Sequence, residues 1–169
     1  FFKILEERHR VRLIDQLGAG LGARMREICR TTFNRGYNRL IVVETDVPTL
    51  PLEHYRQAAA LLEGHEVVLG PARDGGCYLL GLDKRADNVF DDIPESVDRV
   101  FHPIGERAES LGLRLARLPE WRTVDTIDDL TALIEAAARD MILPKAERQF
   151  SARTAGTLQL LAKRIRSRA

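Results

Sequence analysis

Apolar residues recur at helical spacing near the start of the chain: Leu21, Met25, Ile28, Cys29 and Phe33 share one face, and Gly36 supplies a stop. This pattern predicts a helix over Leu21–Arg35. The pattern then changes to the unbroken run Leu40-Ile41-Val42-Val43, which reads as a strand from Arg39 to Glu44 buried on both faces, in the manner of a central parallel strand. Pro51 sits in the first turn of the next predicted helix, Leu52 to Glu63, where its missing N–H costs nothing. Strands follow over Glu66–Leu69 and Cys77–Leu82, and then a loop-rich stretch runs to Pro94.

Further along, Ser96 or Asp98 caps a helix whose inner face carries Val97, Val100, Phe101, Ile104, Ala108 and Leu111, ending at Gly112. Leu113–Leu118 reads as a strand. Thr126 with Asp129 three residues on has the form of a capping box, opening a helix that turns Ile127, Leu130, Leu133, Ile134 and Ala137 inward. After Pro144 a polar linker leads to a last helix, roughly Ala155–Arg166, striped by Leu158, Leu161 and Ile165. Strands alternating with helices imply an α/β fold of three α/β/α layers around a mainly parallel sheet.

The chain has 169 residues, 44% hydrophobic and 30% charged, enough to bury a core as one domain with an appendage. We divide it into a main domain, 1–144, and a basic linker and helix, 145–169. The net charge of +1 conceals this division: the tail carries seven basic residues against Glu147 alone, +6, which leaves −5 for the body. An acidic body argues against nucleic acid as the main partner. The tail's ordinary role is a solvated face; its alternative partners are RNA, anionic lipid or an acidic protein surface, or a second copy in a homo-oligomer through the last helix. No stretch approaches membrane-helix length and no secretory signal pattern is visible, so the cytoplasm is the default expectation. Cys29 and Cys77 are too few for a disulfide framework and read as buried thiols.

Candidate chemistry gathers at strand ends. Asp46 follows the first strand and precedes Val47-Pro48, Asp74-Gly75-Gly76 follows the second, and Val124-Asp125-Thr126 follows the strand ending at Leu118. Ligand crevices of open α/β sheets lie outside the carboxyl ends of the strands, so three acidic groups there suggest a divalent-metal and pyrophosphate site. The plainer alternatives are a turn-capping role for Asp46, a helix-start role for Asp125 and a tight turn for Gly75 and Gly76.

Four segments in order carry a resemblance: Gln16-Leu-Gly-Ala-Gly-Leu-Gly-Ala-Arg24, Glu44-Thr-Asp46-Val-Pro48, Gly70-Pro-Ala-Arg-Asp74-Gly75-Gly76-Cys-Tyr78, and Val124-Asp125-Thr126-Ile-Asp-Asp-Leu130. From about Gln16 to Ala138 the chain resembles bacterial glycosyltransferase-A-fold (GT-A) transferases of the selenodomain-associated and arsenosugar-biosynthesis type. More distantly it is similar to the molybdenum-cofactor and phospholactate guanylyltransferases. The resemblance implies a nucleotide-diphospho-sugar transferase using Mg²⁺ or Mn²⁺, in which Asp46 and Asp125 match the metal-holding acids and Asp74 and Asp125 are the catalytic candidates. It also implies that Gln16, Gly18, Arg24, Gly75, Gly76 and Ser96 contact a nucleotide-sugar substrate. The alternatives it leaves are nucleotidyl transfer of the guanylyltransferase kind and a degenerate, non-catalytic binding or assembly module.

Several positions depart from that family's pattern. Gly20 stands where an Asp is usual, Val47-Pro48-Thr49 replaces Cys-Pro-Asp, Glu95-Ser96-Val97 replaces Trp-Ser-Thr, and Thr123 replaces an Asp. Each change removes an acceptor, an aromatic surface or a hydroxyl. The family also carries a first strand and a basic phosphate loop that have no counterpart in this sequence, so the expected fold is the GT-A type without those parts.

Overall fold

In the computed structural model, which describes residues 6–8, 11–91 and 101–166, the framework is a four-stranded mixed sheet. Helix α1 (Leu21–Asn34) leads to β1 (Arg39–Val43), α2 (Leu52–Leu61), β2 (Val67–Pro71) and β3 (Cys77–Asp83). A 3-10 segment (Lys84–Phe90) precedes α3 (Phe101–Ser110), β4 (Leu115–Arg117) and α4 (Ile127–Asp140), and a short turn (Lys145–Glu147) precedes α5 (Ala152–Arg166). The amphipathic spacing of α1 places Met25, Cys29 and Phe33 in the core. Just past its end Gly36 adopts φ 92°, a left-handed conformation that only glycine takes up freely.

The strands are ordered β1-β3-β2-β4. β1, β2 and β4 run in one direction, as the alternating pattern suggests, while β3 runs against them. Its two ladders, to β1 and to β2, are antiparallel, and the β2–β4 ladder is parallel. The reason lies in the connection: the short Ala72–Gly76 turn folds β3 straight back on β2, and a parallel return needs a far longer crossover.

The position of β1 differs from expectation. It is half-buried and pairs only with β3 among the described residues, whereas all seven residues of β3 are buried between β1 and β2. The apolar run of β1 is explained by its two faces: Leu40 and Val42 pack with α1 and α3, and Ile41 and Val43 pack with α2. A strand covered on both faces reads as apolar throughout, wherever it lies in the order. The loop-rich reading of residues 84–90 is also corrected. The Asp83 carboxylate accepts a hydrogen bond from the Arg85 N–H and closes a 3-10 turn, which buries Ala86, Val89 and Phe90.

Three layers result. One face of the sheet holds Phe33, Leu80, Phe90 and Ile104, and the other holds Ala58, Leu62, Tyr78 and Leu79. Both thiols are buried, and burial pushes each up to about 12. Gly70 is fixed by Tyr78, because a Cβ added at Gly70 would lie 2.6 Å from the ring.

A third, smaller apolar cluster joins α4 to α5 through Leu133, Ala137 and Leu158. The Thr126–Asp129 capping box opens α4 as predicted. At its other end the linker is tied down: buried Asp140 accepts hydrogen bonds from Gln149 N–H (2.7 Å) and Phe150 N–H (3.2 Å). Arg148 donates to the carbonyls of Leu143 and Met141, so one tail cation caps a helix end. The stripe of α5 is spent mainly on α4, with Ile165 left outside.

Candidate functional site

Because β1, β2 and β4 point the same way, the segments that follow them meet at one rim of the sheet. Beyond β4 the chain continues beside β2: Trp121 N–H donates to the Pro71 carbonyl and Arg73 N–H donates to the Trp121 carbonyl, both at 3.0 Å. Next, Val124 N–H donates to the Asp46 carbonyl (3.0 Å), tying this strand-like segment to the end of β1. A cleft of about 550 Å³ opens there, lined by Gln16, Glu44, Asp46, Asp74, Gly76, Thr123 and Asp125 together with apolar side chains of α1 and β1.

The site is a group of like charges. Asp46 is pushed above the usual carboxylate range, first by burial and then by the nearby Asp125, with which it can share a hydrogen bond when one of the two holds a proton. Its Oδ1 is buried without a hydrogen-bond partner among the described residues. Glu44 is pushed up to about 7 by burial and by the charges of Asp46, Asp125 and Asp74. Loss of solvent and repulsion between neighbours both disfavour the charged forms. Four acids gathered in one cleft are an electrostatic cost that a cation relieves.

The chemistry of the donor set selects among cations. No three His, Cys, Asp or Glu side chains among the described residues are arranged as a closed metal cage, so a zinc-like site of three or four protein ligands does not fit. A hard ion that keeps most of its water and takes one or two carboxylates does fit. The buried, unpartnered Asp46 Oδ1 beside Asp125 is such a place.

The hairpin turn explains its own sequence. Gly75 has φ 84° and its N–H donates to the Ala72 carbonyl, while the Gly76 N–H donates to Asp74 Oδ1 at 2.9 Å. A Cβ at Gly76 would sit 3.1 Å from that oxygen. Thus the turn needs both glycines before any ligand is considered, and Gly76 alone of the two lines the cleft. Asp74 lines the cleft as well.

The other sequence-predicted positions divide. Gln16 lines the cleft, but Gly18 and Arg24 do not. Gly18 (φ 136°) lies under the start of α1, where an added Cβ would come within 2.8 Å of Ala23 Cβ. The first turn of α1 borders the cleft through Leu21 and Met25 and has no side-chain cap, since its N-cap is Gly20. Ser96 lies outside the described residues. Two residues were missed by sequence reasoning. Glu44 was available as the acid two positions before Asp46. Thr123, read as the loss of an acid, instead donates its hydroxyl to Asp125 Oδ2 at 2.6 Å and so aims that carboxylate.

No helix among the described residues is long and apolar enough to cross a membrane. No curated protein matches the chain. Among solved structures it is similar to a protein from Desulfovibrio desulfuricans G20, provisionally named a nucleotide-diphospho-sugar transferase, with 32% sequence identity and a TM-score of 0.72. That likeness covers 90% of this chain and 64% of the other, so the chain spans under two thirds of its relative's length. The fold is therefore of the nucleotide-diphospho-sugar transferase, GT-A-like type. Residues 3–97, more than half of the chain, match the model of a family described as "Uncharacterized protein conserved in bacteria (DUF2064)"; the chain belongs to that bacterial family.

Proposed function

We propose that this chain supplies the metal- and diphosphate-binding part of a nucleotide-sugar glycosyltransferase. The observation that carries this reading is the buried, unpartnered Asp46 Oδ1 beside Asp125, in a cleft beyond the carboxyl ends of three strands. Asp46 and Asp125 would hold Mg²⁺ or Mn²⁺. When bound, the ion supplies positive charge for the leaving diphosphate. Thr123 keeps the Asp125 carboxylate turned by its hydrogen bond. The uncapped first turn of α1 offers free backbone N–H groups to phosphate oxygens. Gln16 and Gly76 line the donor's path, and Asp74, in the same lining, accepts a hydroxyl hydrogen bond from the sugar or acceptor. Catalysis in such a site rests mainly on positioning and charge.

The test is calorimetric titration of the full-length protein with a panel of nucleotide sugars, with Mg²⁺, with Mn²⁺ and in EDTA. Binding that vanishes in EDTA and in Asp46→Ala supports the reading, and metal-independent binding, or none at all, removes it. Product analysis separates the alternatives: a nucleoside diphosphate marks glycosyl transfer, whereas release of pyrophosphate from a nucleoside triphosphate replaces this reading with nucleotidyl transfer.

A further inference from the structure

A second cavity of about 180 Å³ adjoins the acidic cleft. Asp74, Thr123 and Asp125 line both, forming the wall between them. On the far side of this wall the lining changes character. Arg73 and Arg122 enter, and α4 contributes the apolar side chains Ala132 and Leu133, whereas no arginine or lysine lines the larger cleft among the described residues. The small cavity therefore combines acids shared with the cleft and two arginines that the cleft lacks.

The charges in this cavity are unequally engaged. Asp129, the remaining acid, is committed to the start of α4: its Oδ2 accepts bonds from Thr126 N–H (2.9 Å) and Thr126 Oγ1 (2.6 Å). Arg73 meets Glu120 at 3.3 Å, but both side chains are mostly exposed, and a pair of that kind contributes little and yields to a better partner. Arg122 has no side-chain partner among the described residues. A planar cation and carboxylates that accept hydroxyl hydrogens, lining one cavity, match a ligand with an anionic end and a hydroxyl end.

We propose that this cavity is the acceptor subsite, and that the acceptor is a small hydroxylated anion whose carboxylate or phosphate rests on Arg122 while its hydroxyl faces Asp74. This rests on the transferase reading. The acceptor oxygen bonds to the anomeric carbon as the bond from that carbon to the diphosphate oxygen breaks. The electron pair leaves with the nucleoside diphosphate, and the hydroxyl proton passes to the Asp74 carboxylate.

The experiment uses the full chain in EDTA, without nucleotide, so that its outcome is separable from that of the donor titration. Glycerol 3-phosphate, D-glycerate, inorganic phosphate and glycerol are each titrated while backbone amide resonances are followed. The expected result is saturable binding of glycerol 3-phosphate or glycerate, with shifts at Arg122, Ala132 and Leu133, and no binding of glycerol. The tighter of the two anions identifies the acceptor's charged group. Arg122→Ala lowers that affinity at least about tenfold, and Arg122→Lys, which keeps the charge but not the fork, recovers part of it. Unchanged affinity in Arg122→Ala, equal binding of glycerol, or inorganic phosphate binding as well as its hydroxylated ester overturns the assignment. Thermal melts show whether each variant is folded. Donor binding without anion binding sinks this proposal alone, whereas anion binding without donor binding overturns the transferase reading and with it the acceptor role, leaving only an anion site at Arg122.

Discussion

The sheet treats its carboxylates in opposite ways at its two ends. At the end away from the cleft, Glu66 and Asp83 are buried yet fully answered. Glu66 accepts from Arg114 Nη2 (2.6 Å), Nε (3.1 Å) and N–H (2.9 Å) and pairs with Arg85 at 2.9 Å. Asp83 accepts from Arg85 Nε at 2.8 Å and faces Arg39 at 3.6 Å. The Arg114 hydrogen bonds hold Glu66 down at about 2, and Arg85 holds Asp83 below the usual range. At the cleft end, Glu44 and Asp46 are raised, and their neighbours are other acids. Similar side chains thus bind the fold together at one rim and strain against one another at the other. Repulsion of that kind in a cleft is what the proposed cation would relieve.

The largest effect that sharpens this contrast is on ligand binding. Asp46→Asn is expected to weaken Mg²⁺-dependent nucleotide-sugar affinity by on the order of 100-fold, read by calorimetry. Glu66→Gln is expected to leave that affinity within about twofold while lowering stability by about 2 kcal/mol, since it removes charge-assisted bonds to two arginines. The corresponding loss, about 6 °C in melting temperature, is measurable by differential scanning calorimetry. If instead Glu66→Gln abolishes ligand binding at full stability, the division of roles fails.

Acid provides a third test. The Glu66 carboxyl lies at about 2 in the fold against an ordinary 4.5, so the unfolded chain takes up its proton first as pH falls. Its stabilisation is whole above about pH 4.5 and drains away as pH descends toward 2. Melting temperatures from pH 6 to pH 2 should fall steeply in the native protein and less steeply in Glu66→Gln; parallel curves would contradict the assignment. The smallest expected effect has the opposite sign. In EDTA, Asp46→Asn removes one of several like charges and should raise stability by about 1 kcal/mol, and a lowered melting temperature would show that Asp46 holds the fold together.

Much of this was legible in the sequence, for identifiable reasons. Helix starts and stops are written in local chemistry, so Thr126 with Asp129, and Gly36 after Phe33, place α4 and α1 closely. The convergence of Asp46, Asp74 and Asp125 follows from strand direction alone once the strands are placed. What was hidden depends on neighbours distant along the chain. That β3 lies between β1 and β2 is set by β3 folding back through a hairpin, and an apolar run cannot reveal that order. Thr123 looked like a missing acid because its value lies in the bond it gives Asp125. The second cavity needs α4 laid against residues 122–125, which no local pattern announces.

Gly70 and Tyr78 carry one last consequence. The ring over Gly70 sends its hydroxyl to the Pro119 carbonyl at 2.9 Å, just ahead of the segment that bears Thr123 and Asp125. Any side chain at 70 would displace the ring, and with it the anchor of that acidic segment. The two positions are therefore coupled: a variant that gives up the glycine must give up the tyrosine as well, or find another tether for Asp125.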